Sequence, residues 1–436
     1  MQTTTLKQEF SKYAMLNILG MLGVSCYILA DTFFIAQGTG AAGLTALNLA
    51  IPAYSLMHGV GLMAGIGGAT RYAVCRAQND PEGVQHAFFH AMLLALCVSA
   101  VCIATGVFGV TPLARLLGAD TDMLPMTVTY LRVLLCFAPA FLLNDVLTAF
   151  VRNDGAPRTA MLGMLLGSLT NIILDYVLVF PCGLGIFGAA LATGLSPLIG
   201  IAVLSRHLRS GACGFRLRKT RVQPRLISAV CAPGLSALIG ELATGFVLLL
   251  YNLVILRITG NTGVAAYGVV ANLAIVGASI FTGAAQGAQP LVSRCFGHSD
   301  TNALRRLFRY AIVLALSIAA ALYAAVLLFA QPLAAAFNSQ HDPVLGALAV
   351  RGLHIYFTGF FCAGVNVVAA GFFSAAGQAR QGFTISILRG LVAVIPLLLV
   401  LSSLFGMDGV WATFPVVEAA TLCVTLVYAA RHFRSL

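Results

Sequence analysis

Long apolar runs separated by short polar connectors make up most of this 436-residue chain. A helix that crosses a bilayer needs about 20 predominantly apolar residues, because each residue adds about 1.5 Å of rise. The runs meet that length, and no strand-like alternation with soluble helices interrupts them. They predict twelve spanning helices, over residues 13–37, 44–69, 87–110, 126–151, 160–181, 186–205, 227–256, 263–292, 310–331, 352–374, 384–405 and 409–430.

Composition supports the same class of protein. The chain is 59% hydrophobic and 9% charged, whereas a soluble domain carries about 25% charged residues. The net charge of +11 does not indicate nucleic-acid binding, because the basic residues sit in connectors rather than on one solvated face. Eleven cysteines occur singly and mostly within apolar runs, so we expect no disulfide framework and no metal site.

The basic connectors also predict an orientation. Most arginines and lysines fall on one side of the membrane if the chain crosses it twelve times. Both termini and the basic linker are therefore expected in the cytoplasm. The first apolar run contains Asp31 and has no convincing small-residue cleavage site, so we expect an uncleaved span rather than a signal peptide.

The two halves of the chain resemble each other at an offset of 220 to 222 residues. Pro112 and Pro332 keep this offset, and so do Gly155 and Gly377. Six spans in each half give both halves the same orientation, which is a parallel repeat typical of transporters. The predicted organisation is an amino-terminal lobe, a cytoplasmic basic linker and a carboxy-terminal lobe over residues 1–205, 206–226 and 227–436.

Four polar residues lie within the apolar spans of the first lobe: Asp31, Asn171, Asp175 and Thr193. Asn171 and Asp175 share one face of a helix. Counting from the span ends places Asp31, Asp175 and Thr193 about 8–10 Å below the outer surface. Carboxylates inside a membrane are costly and mark ion or substrate paths. Such oxygens can replace the hydration shell of a small cation or share a proton. A packing cluster is the alternative.

The repeat provides a contrast for this cluster. The positions matching Asp31, Asp175 and Thr193 in the second lobe are Tyr251 and, approximately, Pro396 and Phe414. The second lobe lacks the same chemistry, so the repeat does not need it for folding. This difference favours a functional role for the residues of the first lobe.

Other residues are candidates for a substrate cavity. Glu241 lies near the middle of a span, where it could attract a cationic substrate or be hydrogen-bonded between helices. The apolar candidates are Tyr54, Met57, Phe246 and Phe281, although such residues are more often ordinary packing.

Three further charged residues in or near spans call for an interpretation. Asp145 is expected to contact Arg152 or Arg158 near a helix end. Arg389 is expected to extend toward the membrane surface, and Glu418 faces an unidentified neighbour.

Motifs across the whole chain resemble those of MATE (multidrug and toxic compound extrusion) transporters. They are LADTFFIAQ, ALNLAIP, GIGGATR, NIILDY and GIFGAALAT in the first half, and FFSAAGQAR and GMDGVWATFP in the second. The resemblance implies an all-α membrane protein with twelve helices in two lobes. It also implies export of small organic, cationic or amphipathic compounds in exchange for Na⁺ or H⁺ by alternating access, with no cofactor.

The resemblance also bears on the site and its setting. In one branch of the family, residues matching Asp31, Asn171, Asp175 and Thr193 hold the coupling cation. A monomer in the cell membrane is implied, and we expect the bacterial inner membrane. Members of the family often have a proline early in the first span. This chain has no proline there, and Gly20 and Gly23 could supply flexibility instead.

The sequence can be compared with the requirements of two other functions. A flippase for a lipid-linked sugar or cell-wall precursor would need a cationic cavity for pyrophosphate, whereas the intramembrane charges here are mainly acidic. A membrane-embedded enzyme is not indicated, because the sequence has no HExxH, no DDxxD and no cysteine–histidine dyad.

Overall fold

The structure is a computed structural model that describes residues Thr3–Arg218, Thr220–Phe337 and Asp342–Ser435. Lys219, one of the basic residues of the predicted linker, lies outside the described residues. Within these ranges the chain is helical and has no strand. The helices are α1 (Thr3–Ala77), α2 (Pro81–Phe108), α3 (Val110–Leu116), α4 (Leu124–Cys136), α5 (Ala138–Asn153), α6 (Pro157–Val179), α7 (Gly185–Arg209), α8 (Pro224–Gly297), α9 (Thr301–Phe337), α10 (Pro343–Tyr356), α11 (Phe360–Ala375), α12 (Ala379–Ile387) and α13 (Val394–Ser435).

Several of these helices contain a break between two membrane spans. The backbone leaves the helical region at Gly40 in α1, at Gly260 in α8 and at Gly406 in α13. Helices α4 and α5 meet at 46° and together make one bent span. Counted this way, the described residues form twelve spans in two six-helix lobes, which confirms the predicted fold class.

The tenth and eleventh spans are irregular helices. The tenth joins α10 to α11 through a 3₁₀ turn over Phe357–Gly359. The eleventh begins with α12, passes through a π-helical segment over Leu388–Val392 and continues into α13. A π-helical segment is rare and often lies at a functional or polar site.

The glycine breaks repeat along the chain. Gly40 has φ 68° and ψ −160°, and Gly260, 220 residues later, has φ 65° and ψ −154°. Only glycine adopts this region of backbone space readily. Asn79 and Ser299 also keep the offset and have φ values of 56° and 55°. The same backbone geometry therefore recurs in both halves, as the sequence repeat predicts.

The chain divides into two compact units. The amino-terminal unit contains Leu19–Leu242 and Gln289–Ser299, and the carboxy-terminal unit contains the described residues up to Ile18, Ala243–Ala288 and the described residues from Asp300 onward. Lobe boundaries at residues 205 and 226 were derived from the repeat and stay a prediction.

An aromatic cluster joins part of the linker to the amino-terminal unit. Phe215, which follows α7, has its ring centroid 4.6 Å from Phe88 and 5.4 Å from Phe150. The ring of Tyr72 lies 5.7 Å from Phe215. Aromatic pairs at such distances add about 0.5–1.5 kcal/mol beyond the burial of their area. This part of the linker is therefore anchored to α1, α2 and α5.

Candidate functional site

Small residues bring the first, fifth and sixth spans close together in the amino-terminal unit. A Cβ atom added to Gly23 in α1 would lie 2.7 Å from Leu165 Cδ2 in α6. A Cβ atom added to Gly167 in α6 would lie 3.4 Å from the Ser196 carbonyl oxygen in α7. Glycine allows helix backbones to approach closely in membranes, and this closeness brings the polar residues of the three spans together.

Gly20 and Gly23 lie at these helix contacts, and the flexibility expected of them stays a prediction. α1 keeps helical backbone angles at both glycines, and the described break lies further along at Gly40. A Cβ atom added to Gly20 would lie 2.9 Å from Met164 Sδ. Both glycines are contact points between the first and fifth spans.

The four polar residues predicted from the sequence lie together at this junction. Asp31 is on α1, Asn171 and Asp175 are on α6, and Thr193 is on α7. All four are buried, and Asn171 and Asp175 have 0% exposure. The Asn171 Nδ2 group lies 3.4 Å from Thr193 Oγ1, to which it donates. The carboxyl groups of Asp31 and Asp175 lie close enough to interact electrostatically.

Several oxygens in this cluster have no hydrogen-bond partner among the described residues. They are Asp31 Oδ1, Asn171 Oδ1 and both carboxylate oxygens of Asp175. A buried polar atom without a partner costs about 1–3 kcal/mol, and more if charged. Within the described chain, no arginine, lysine or histidine forms an ion pair with Asp31 or Asp175. A proton or a small cation would satisfy these oxygens and relieve the repulsion between the carboxylates.

Tyr130 belongs to the same cluster, although the sequence did not single it out. This residue lies on α4, has 3% exposure and lies next to Thr193. It also lies close enough to Asp31 and Asp175 to interact electrostatically with them. A tyrosine in an apolar span is normally a packing residue. Its polar hydroxyl group was therefore the only feature of the sequence that could indicate a functional role.

The predicted substrate-cavity residues occupy different environments. Met57 is 2% exposed within the hydrophobic core of the amino-terminal unit. Phe281 is 1% exposed and stacks on Phe360 with ring centroids 5.8 Å apart. Phe246 is exposed, whereas Glu241 and Tyr54 are both half-buried. Met57 and Phe281 are thus placed as packing residues, and a role for any of the five in substrate binding stays a prediction.

Asp145 pairs with a residue that the sequence analysis did not name. Its Oδ2 atom lies 2.9 Å from Nδ1 of His58, which is on α1. The expected contact with Arg152 or Arg158 was wrong. His58 sits in an apolar span, where any ionisable residue is a functional signal, but its partner is 87 residues away and could not be inferred from spacing.

A second buried polar network occupies the carboxy-terminal unit. The Arg389 guanidinium donates to both carboxylate oxygens of Glu418, at 2.6 Å from Nη2 and 3.3 Å from Nε. Asn366 Nδ2 donates to Glu418 Oε2 at 2.8 Å, and the Thr425 hydroxyl donates to Asn366 Oδ1 at 2.8 Å. Arg389 therefore turns inward to an ion pair, and the expectation that it extends toward the membrane surface was wrong.

Asp154, at the end of α5, accepts hydrogen bonds from several directions. Its donors are the Tyr72 hydroxyl at 2.5 Å, His207 Nε2 at 2.7 Å, the Gly214 backbone at 2.8 Å and Arg76. Candidate ligand atoms of Asp154, His207 and Cys213 all lie within 4.8 Å of one another. Because the carboxylate already has four donors, we interpret this group as a hydrogen-bonded anchor for the linker.

Comparison with known proteins identifies the family. A model of the MatE family matches residues 17–177 and 237–400. The multidrug export protein MepA of Staphylococcus saprophyticus is 28% identical over 421 residues, which cover 95% of this chain and 92% of that protein. MepA of Staphylococcus aureus is 25% identical over 418 residues, again covering 95% and 92%.

Solved structures show the same fold. One described as an outward-facing conformation of a multidrug resistance MATE family transporter of the MOP superfamily superposes with a TM-score of 0.92 at 23% identity. The match covers 99% of this chain and 96% of that chain. This likeness shows the shared fold. The chain belongs to the MatE family, whose members are transporters rather than enzymes.

Proposed function

We propose that this protein is a secondary active antiporter that exports organic, cationic or amphipathic compounds in exchange for Na⁺ or H⁺ by alternating access. The printed function of the similar staphylococcal proteins is multidrug export, which supports a multidrug efflux role. The observation that carries the proposal is the buried cluster of Asp31, Asn171, Asp175 and Thr193, in which Asp31 Oδ1, Asn171 Oδ1 and both Asp175 carboxylate oxygens lack partners within the described chain.

The chemistry of the cluster suits a coupling cation. Two carboxylates supply negative charge, and amide and hydroxyl oxygens supply neutral ligands, which are the donors that hard cations prefer. The same carboxylates can instead share one proton. In either case one positive charge relieves the repulsion between the two carboxylates, so occupancy can favour one conformation over another.

The expected setting follows from the same proposal. The protein works as a monomer in the bacterial inner membrane, with both termini in the cytoplasm. Its partners are a small organic substrate and the lipid bilayer, and its coupling ion is Na⁺ or H⁺ without a resident cofactor. The apolar helices of the described chain are long enough for a multi-pass membrane protein.

Transport in proteoliposomes tests the proposal. Purified protein is reconstituted, and uptake of radiolabelled tetraphenylphosphonium is followed while a pH gradient and a Na⁺ gradient are imposed separately. We expect accumulation against the substrate gradient with one of the two ion gradients and none without either. Equal, gradient-independent equilibration under all conditions would contradict ion-coupled antiport.

A further inference from the structure

The linker between α7 and α8 forms neither a helix nor a strand in its described residues. We call its residues 213–218 and 220–223 the strap. Both ends of the strap are bound to the amino-terminal unit. At the first end, the Gly214 backbone donates to Asp154 at 2.8 Å, and at the second end the Gln223 backbone donates to His90 Nε2 at 3.1 Å. The strap is therefore held along this unit at two separate points.

The histidine at the second end is fully committed to this contact. His90 lies on α2 and has 0% exposure. Because its Nε2 atom accepts a hydrogen bond from Gln223, the ring proton is on Nδ1, which lies 2.8 Å from the His86 carbonyl oxygen and donates to it. Both ring nitrogens have partners, so the tautomer and the position of the strap are fixed together.

The contacts of the strap lie where membrane spans begin and end. Phe88 is within the first turn of the apolar run over residues 87–110, and Phe150 is next to the end of the run over residues 126–151. The ring centroid of Phe215 lies 4.6 Å and 5.4 Å from the centroids of these two rings. A span enters the membrane interface where its apolar run begins. By these bounds the strap lies at the level of the lipid headgroups.

The linker carries positive charge without any compensating acid. Residues 206–225 contain six arginines and one lysine but no aspartate or glutamate. The six arginines are exposed and form no ion pair within the described chain: Arg206, Arg209, Arg216, Arg218, Arg221 and Arg225. The connectors after α1 and α8, by contrast, contain Asp80 and Asp300, each of which accepts a hydrogen bond from the helix that follows. The positive surface of the linker is thus complementary to anionic groups outside the chain.

Two apolar side chains are exposed among these arginines. Leu217 has 61% exposure and Val222 has 55% exposure. The preference for basic residues on the cytoplasmic side accounts for the arginines, but it does not account for branched apolar side chains that point outward between them. Basic residues interleaved with exposed apolar residues are typical of segments that lie on anionic membrane surfaces.

We propose that the strap is a binding surface for anionic phospholipids of the cytoplasmic leaflet. Leu217 and Val222 enter the boundary between headgroups and acyl chains, and the exposed arginines of the linker bind headgroup phosphates, whose geometry the guanidinium fork matches. Because both ends of the strap are bound to the amino-terminal unit, lipid binding holds this unit at the membrane surface. The inference does not depend on the proposed transport function.

Quenching by brominated lipids tests which lipids contact the strap. The full-length protein with Leu217→Trp is reconstituted into phosphatidylcholine vesicles, and either brominated phosphatidylcholine or brominated phosphatidylglycerol is titrated in. The signal of Trp411, which is fully buried, is subtracted with protein that lacks the substitution. We expect brominated phosphatidylglycerol to quench the introduced tryptophan at a mole fraction at least about fivefold lower than brominated phosphatidylcholine. Salt at about 1 M, where the Debye length is about 3 Å, should remove most of this preference.

Charge variants separate headgroup binding from simple contact with the bilayer. In the Leu217→Trp background, Arg216→Gln, Arg218→Gln and Arg221→Gln together should reduce the preference to less than about twofold. A matched control removes three exposed arginines of the carboxy-terminal unit and should keep the preference: Arg309→Gln, Arg431→Gln and Arg434→Gln. Val222→Trp is a second reporter with the same expectation. If one reporter variant does not elute at the wild-type volume in size-exclusion chromatography, the other remains a valid test.

Three results would overturn the inference. If neither brominated lipid quenches the introduced tryptophan, the strap faces the cytosol, where its partner would be a soluble molecule. If both lipids quench equally at low salt, the strap contacts the bilayer without recognising headgroup charge. If the triple arginine variant keeps the preference, these arginines do not bind the headgroups.

Discussion

Removing Arg389 should destabilise the carboxy-terminal unit strongly, because the change leaves Glu418 without its cation. The Glu418 side chain has 2% exposure, and only Asn366 would remain to donate to its carboxylate. Breaking a buried ion pair by removing one partner costs about 3–5 kcal/mol. We therefore expect Arg389→Met to lower the apparent unfolding temperature by roughly 10 °C.

The chain offers a matched control and a reporter for this prediction. Arg351 and Asp408 form an ion pair at 2.5 Å, with side chains 64% and 44% exposed. Arg351→Met should therefore cost about 1 kcal/mol or less. Trp411 is the single tryptophan of the chain and is fully buried in the same unit, so its fluorescence follows unfolding of this unit directly.

Charge is separated from packing by a double variant. The double variant with Arg389→Met and Glu418→Gln should recover most of the lost stability, since no uncompensated charge remains. The reasoning is refuted if Arg389→Met shifts the unfolding temperature no more than Arg351→Met, or if the double variant is as unstable as the single one.

Three further predictions address the amino-terminal unit. Tyr130→Phe removes the hydroxyl group next to Thr193 and should raise the ion concentration for half-maximal transport about fivefold, the equivalent of about 1 kcal/mol, whereas Tyr323→Phe should not. Burial raises the pKa of the Cys213 thiol, so maleimide labelling of a variant with this single cysteine should accelerate with rising pH. Asp154→Asn should accelerate the labelling of Cys213 at least about tenfold at fixed pH, because it releases the linker. Gly23→Leu should reduce ion-driven accumulation more than about tenfold by separating the first and fifth spans, as measured in proteoliposomes.

The sequence predicts best those features of the fold and the site that are decided by the free-energy cost of placing polar groups in lipid. Spans follow from the cost of exposing backbone and polar groups to lipid, so their number and order were predictable. Asp31 and Asp175 stood out because a carboxylate in an apolar span is rare. The backbone break at Gly40 recurs at Gly260, in keeping with the repeat that the sequence predicted.

Pairings between distant spans could not be predicted in the same way. His58 and Asp145 meet because Gly61 allows two helices to approach, and nothing in the spacing of 87 residues indicates it. Arg389 is near the end of an apolar run, which favours an outward side chain, but the π-helical segment and Glu418 turn it inward. Helix rotation and local irregularity decide these contacts, and both depend on packing rather than on periodicity.

The central claim is that the oxygens of Asp31, Asn171, Asp175 and Thr193 hold the coupling ion, and an uncoupling measurement on Asp175→Asn tests it most directly. Proteoliposomes are assayed for exchange of labelled against unlabelled substrate and, separately, for accumulation driven by an ion gradient. Asp122→Asn, an exposed aspartate, serves as the control. We predict that Asp175→Asn retains exchange and loses gradient-driven accumulation. Accumulation at the wild-type level in this variant would contradict the account.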